Sequence, residues 1–169
     1  MPWQVNGRIP ASDFPNPVED LVRTFISTKW TLTTPSLSTS PPSDYSTKAR
    51  LTDFDYDGYA TYHIKVKEGI TTFDNDIIMS GLWGFQTPII CSLTARRLST
   101  GQSFQQLNNM RLELVRIIGQ YNPDEISGIP SMRIEDPGDT PEAGITEGGQ
   151  SVWHSQVTAM TTYFKNFTG

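Results

Sequence analysis

This chain of 169 residues has a single cysteine, Cys91. One thiol excludes an internal disulfide framework. Cys91 lies in the apolar run Pro88-Ile89-Ile90-Cys91-Ser92-Leu93, so a buried inert thiol is the plain reading and a catalytic nucleophile the sharp one. Charged residues make up 18% and hydrophobic residues 36% of the chain, both below the usual globular share. Low charge excludes the common signature of disorder, which couples weak hydrophobicity to high net charge. No basic run is present, and the formal net charge is -5 with a pI near 4.9. A phosphate-gripping nucleic-acid binder is therefore disfavoured. The pairs Lys65 with Lys67 and Arg96 with Arg97 read as solvated faces of strands. No apolar run approaches the roughly 20 residues needed to span a bilayer. Met1-Pro2-Trp3-Gln4-Val5 has neither a basic start nor an apolar core, so a soluble protein made in the cytoplasm is expected.

Catalytic strings are also missing. There is no G-x-S-x-G elbow, no G-x-x-x-x-G-K loop and no G-x-G-x-x-G turn. The two histidines, His63 and His154, fall in strand-patterned runs without a metal-binding spacing or a cysteine pair, so a zinc site is not expected. A Ser/His/Asp triad can assemble across a fold, so spacing alone leaves a small hydrolase open. Ser80-Gly81 and Ser127-Gly128 read more simply as turns.

What is present suits one β-rich domain with long polar loops. Residues 1–16 form an irregular N-terminal arm with apolar anchors at Trp3, Val5, Ile9 and Phe14. Pro17 to Trp30 predicts a helix, with Asn16 as cap and Val18, Leu21, Val22, Phe25 and Ile26 on one face. Residues 31–46 follow as a Ser/Thr/Pro-rich loop with a short possible strand at Thr31-Leu32-Thr33. Thr47 to Phe54 holds a short strand around Ala49-Arg50-Leu51. Tyr59 to Lys67 alternates, with Tyr62, Ile64 and Val66 opposite His63, Lys65 and Lys67. Phe73 to Phe85 is ambiguous between strand and helix turn. Thr87 to Leu98 alternates Ile89, Cys91, Leu93 and Ala95 with Ile90, Ser92, Thr94 and Arg96, and its apolar start predicts a central place in the sheet. Ser103 to Gly119 is the strongest helix, with Phe104, Leu107, Met110 or Arg111, Leu114, Ile117 and Ile118 in a stripe, either Thr100 or Ser103 as its cap, and a capping box fitting Ser103 to Gln106.

The acidic excursion from Gln120 to Gln150 comes next. It carries Asp124, Glu125, Glu135, Asp136, Asp139, Glu142 and Glu147, opposed only by Arg133. Ser131 to Glu135 is a possible strand within it, and the rest reads as turns. It is either a solvated hairpin or an interface element. The chain closes on a strand from Ser151 to Phe167, with Trp153, Val157, Ala159 and Tyr163 on one face. The fold class expected is α+β: one mixed or antiparallel sheet, two main helices packed on it, and long loops.

One local string matches half of a calcium loop. Asp53-Phe54-Asp55-Tyr56-Asp57-Gly58 alternates carboxylates before a glycine, but its twelfth position is Ile64 rather than glutamate. A tight turn entering the next strand is the plain reading, and a cation-stabilised binding module on Asp53, Asp55 and Asp57 is the alternative.

The order helix, strand set, the helix Ser103–Ile118 and a long terminal strand Ser151–Tyr163 resembles the tail terminator, or tail-completion, proteins of tailed viruses. The similarity spans most of residues 17–167. The resemblance implies a virion structural protein at the head–tail joint rather than an enzyme. It implies a homo-oligomeric ring of about six subunits that caps the tail tube and joins it to the connector, as other neck proteins do. The partners implied are the tail tube protein and the head–tail connector, with DNA passing the lumen without specific binding. The family has no catalytic string, so no catalytic residue, metal or cofactor is implied. The excursion is where this chain departs from that family most, so it is expected to carry partner-specific contacts.

Overall fold

The computed structural model describes residues 17–40, 47–79 and 82–166. Two helices and an open mixed sheet, eight-stranded among the described residues, form one α+β fold. The elements in chain order are α1 (Val18–Lys29), β1 (Ser36–Ser38), β2 (Lys48–Thr52), β3 (Tyr62–Glu68), β4 (Thr72–Met79), β5 (Leu82–Arg96), α2 (Gln102–Gly119), β6 (Ser131–Asp136), β7 (Glu142–Ile145) and β8 (Ser151–Asn166).

The sheet order is β1-β2-β3-β5-β8-β6. Its spine is the antiparallel pair β5 and β8, in register from Leu82↔Asn166 to Arg96↔Val152. Each spine strand is long enough to hold two shorter strands in tandem on its outer edge. β3 and β4 share the edge of β5, while β6 and β7 share that of β8. The central place expected for Thr87–Leu98 is thus observed, and the ambiguous Phe73–Phe85 stretch resolves into the β4–β5 hairpin.

Both helices cover one face. Tyr62, Ile64, Val66, Ile89, Cys91, Leu93, Val157, Ala159 and Tyr163 alternate onto that face and are buried. They meet Val22, Phe25 and Ile26 of α1 and Leu107, Met110, Leu114, Ile117 and Ile118 of α2. Burial of each such large side chain contributes about 1.5–3 kcal/mol relative to exposure. The two-residue and helical periods of the sequence carried this core correctly. A buried hydroxyl chain ties the far end of the spine: Thr71 Oγ1 lies 2.8 Å from Thr87 Oγ1, which lies 2.9 Å from Tyr163 Oη.

The caps differ from expectation. Asn16 lies outside the described residues, and α1 begins after Pro17 with no side-chain cap. The capping box at Ser103 does not form, because Gly101 stands at the cap position. The Ser103 hydroxyl accepts the Leu98 N–H at 3.3 Å instead, and Gln106 Oε1 is buried without a partner. α2 also buries a charge that periodicity did not mark. Glu113 accepts hydrogen bonds from the Thr31 N–H (2.7 Å), the Thr31 hydroxyl (2.8 Å) and the Arg116 guanidinium (2.7 Å). These bonds hold its carboxyl below the usual range, the Arg116 bond most of all.

Two loops are more ordered than composition suggested. Thr31–Thr33 is irregular, but Ser36–Ser38, inside the Ser/Thr/Pro-rich stretch, pairs in parallel with β2 as an edge strand. Residues 41–46 of that loop lie outside the described residues. The acidic excursion is not a free loop. Tyr121 Oη pins its start by accepting the Ile126 N–H (3.0 Å) and donating to the Ile129 carbonyl (2.5 Å). Its middle forms β6, near the expected Ser131–Glu135. β7, of sequence Glu-Ala-Gly-Ile, has little strand propensity of its own. The exposed ladder of β8 recruits it.

The connection from β2 to β3 matters most for the site. β2 and β3 are parallel neighbours, with Ala49↔Tyr62 and Leu51↔Ile64. Parallel neighbours need a crossover, because the chain must return the length of the strand. Residues 53–61 make that return over the face that the helices leave open. The aspartate string is therefore part of a crossover, and the turn expected at its glycine closes that crossover just before β3.

A polar cavity on the helix-free face

The crossover and the tip of the excursion face each other across the open side of the sheet. Between them lies a cavity of about 590 Å³. Its floor is His63 and Lys65 of β3 with Ser92 and Thr94 of β5. Asp55 to Gly58 form one wall, and Thr146 to Gly148 with Gln150 form the other. Two features that looked unrelated in the sequence thus build one site.

Each wall is held by its own hydrogen bonds. Asp57 pairs with Arg50 and accepts the Tyr59 N–H at 3.0 Å, which closes the turn. Arg96 reaches over to the Gly58 carbonyl and to Tyr56 Oη, the latter at 3.3 Å. Tyr56 Oη in turn donates to the Ala60 carbonyl at 2.9 Å. On the opposite wall, the Thr146 N–H donates to the Gln150 carbonyl (2.9 Å), and the Gly149 N–H donates to the Thr146 carbonyl (2.8 Å).

The alternating pattern placed His63 on the solvent side of β3, yet it is buried. The crossover covers it: Phe54 and Tyr56 stand 6.1 and 5.7 Å away, ring centre to ring centre. Burial is the main cause that pushes its pKa down to about 4, and the Arg50 charge adds to it. His63 is therefore neutral at neutral pH. Its Nε2 lies 2.9 Å from Thr52 Oγ1, and that hydroxyl is 3.1 Å from the Phe54 carbonyl. The direction of the Thr52–His63 bond follows the imidazole tautomer: Nε2 donates when it carries the ring proton and accepts from the hydroxyl when Nδ1 carries it.

The other candidates separate. Among the described residues, no serine or cysteine hydrogen-bonds to either histidine; His154 is exposed on β8. Cys91 is buried on the helix-covered face, and burial pushes its thiol up to about 12. Asp53, Asp55 and Asp57 do not gather their oxygens at one point. Asp55 pairs with Lys65, whose hydrogen bond holds the carboxyl below its ordinary value. Asp53 instead approaches Glu19 and Asp20, the one group of three potential ligands within 4.8 Å among the described residues. Glu19 there accepts the Glu68 N–H (3.0 Å) and meets Lys67 (3.5 Å), and Asp20 pairs with Arg23.

Gln150, Ser92 and Thr94 carried no functional weight in the sequence. The alternation of Thr87–Leu98 did place Ser92 and Thr94 on the polar face. Nothing in spacing announced that Gln150, more than fifty residues later, would stand opposite them. No helix among the described residues is long and apolar enough to cross a membrane. Comparison with protein-family models gives no match, and comparison with curated proteins gives none either.

Proposed function

We propose that this chain is a virion structural protein of a tailed virus, a ring-forming subunit that caps the tail tube and joins it to the head–tail connector. One observation carries the reading. Beyond the cavity, the open face of the sheet is mixed, with Lys67, Gln86, Thr158 and Thr162 set around a group of apolar side chains. That group comprises Pro88 and Ile90 of β5 with Met160 and Phe164 of β8, all half-buried or exposed. Cross-strand pairing sets Pro88 against Met160 and Ile90 against Thr158. Ile70, in the neighbouring turn, is 74% exposed. A solvated antiparallel sheet face is normally polar. An apolar stripe in its middle suits contact with a second copy of the chain.

The open sheet also ends in strands without an outer neighbour among the described residues, β1 on one side and β6 on the other. Two different surfaces on opposite flanks suit a heterologous, head-to-tail contact, which closes into a ring when the rotation allows. β6 carries charged Arg133 and Glu135, a bulge between Ile134 and Asp136, and then Pro137. Those devices oppose indiscriminate strand addition and leave matched side-chain contacts as the mode of assembly. The net charge of -5 would keep DNA phosphates from adhering as they pass the lumen.

Mass photometry of the purified chain tests the reading. A particle about six times the 18.9 kDa subunit is expected, with a closed ring visible by electron microscopy. Monomers alone, in solution and away from the joint in native particles, would overturn it.

A further inference from the structure

We propose that the cavity between the aspartate crossover and the excursion tip binds a neutral, hydroxyl-rich small molecule of the carbohydrate class. The cavity volume of about 590 Å³ falls within the range of small-ligand sites, about 300–1,000 Å³.

Its charges are arranged against ions of either sign. Asp55 and Asp57 are already paired with Lys65 and Arg50. The cations that an anion would need are thus committed, and a carboxylate stands beside each. A cationic ligand finds the same two carboxylates neutralised, with only Glu147 left, exposed on the rim. No divalent site forms, because these oxygens do not converge.

Uncharged hydrogen-bonding groups remain. The hydroxyls of Ser92 and Thr94 sit two residues apart on β5 and so point the same way out of the floor. Gln150 lines the same cavity from the wall, with its Oε1 near Gly58. None of these three side chains is used in a hydrogen bond within the described chain. Together they offer hydroxyls that donate and accept, and one amide that does both. A ligand with several adjacent hydroxyls matches that set, whereas an apolar ligand would leave it unpaired at a cost. The Asp55 carboxylate, 91% exposed while bonded to Lys65, retains lone pairs for a further hydroxyl. Tyr56 supplies an aromatic wall.

The inference concerns the polar half of the open face and does not depend on ring formation. It is tested by amide NMR of the isotopically labelled chain, titrated with glucose, galactose and N-acetylglucosamine. Maltotriose and chitotriose form a second arm that separates a free sugar from a glycan chain. Inorganic phosphate and arginine serve as contrasts. Saturable shifts at Ser92, Thr94, Gly148 and Gln150 with at least one sugar are expected. Gln150→Ala and Thr94→Val should each weaken that binding about tenfold while leaving the remaining spectrum in place. The proposal is overturned if no sugar moves these amides, if phosphate or arginine moves them instead, or if both folded variants bind as tightly as the parent chain.

Discussion

The Oε1 atom of Gln150 stands 3.3 Å from the point where a Cβ on Gly58 would project. Gly58 ends the aspartate string, and Gln150 ends the excursion. Both residues line the cavity, and here the two odd segments of the chain come close.

Glycine substitutions at the two walls should differ in cost. Gly58 has φ +79 and faces a flexible side chain, which can move aside. Gly58→Ala should cost about 1–2 kcal/mol, mainly the left-handed backbone penalty. Gly138 has φ +74, and its Cβ would meet the Gln156 carbonyl oxygen at 2.0 Å, a backbone atom that cannot yield. Gly138→Ala should cost at least about 3 kcal/mol. Urea unfolding midpoints of the two variants check the order.

His63 should make the protein acid-sensitive above the range of its carboxylates. The folded chain keeps the imidazole neutral down to about pH 4, while the unfolded chain protonates it near 6.5. Between those values the unfolded state holds more protons, so stability falls as pH falls. The full loss is about 3 kcal/mol. Glu113, whose pKa is lowered, loses its contribution only below its ordinary 4.5. His63→Gln should flatten the stability profile between pH 6.5 and 4; an unchanged slope there would count against this account.

The apolar stripe should govern assembly without governing folding. Met160→Lys places a charge in the middle of the stripe and, under the proposed ring assembly, should leave the chain monomeric. The unfolding free energy should change by only about 0.5 kcal/mol, because the site is on the open face. Gln156→Lys, on the polar half of the same strand, should leave the particle mass unaltered. Mass photometry of both variants gives the comparison.

Cys91 should be silent in the native state. Its thiol is buried, with a pKa pushed up to about 12, so almost no thiolate exists at neutral pH. Alkylation by iodoacetamide should occur only through unfolding and should accelerate with urea. Rapid labelling of the folded chain would restore Cys91 as a candidate nucleophile.

The excursion should not be removable as a block. Excising Asp136–Gly148 takes away β7 with its pairing to β8, the bond from the Ser155 hydroxyl to the Asp139 carbonyl (2.8 Å), and the Arg111 bonds to the Pro137 and Gly138 carbonyls (3.1 and 3.3 Å). The exposed edge of β8 would cost about 2 kcal/mol or more, a fall of roughly 5 °C in Tm for a chain of this size. Shortening only the tip at residues 147–149 should keep the ladder and the Tm. Thermal melts of the two deletions distinguish a structural excursion from a loose one.

Periodicity alone determined the α+β class, the two helical stripes and the core faces of β3, β5 and β8. Those patterns depend on which side of a helix or strand each residue occupies, and the sequence writes that directly. The order of the strands depends on pairings far apart in the chain, and local pattern does not encode it. That is why the turn at Gly58 was legible while the crossover it closes, set by parallel pairing of β2 with β3, was not. His63 became buried for the same reason, and β7 became a strand because β8 offered it a ladder. The cavity belongs wholly to the tertiary structure. Ser92, Thr94, Gln150 and the crossover come together only because the helices took one face of the sheet and left the other to the loops.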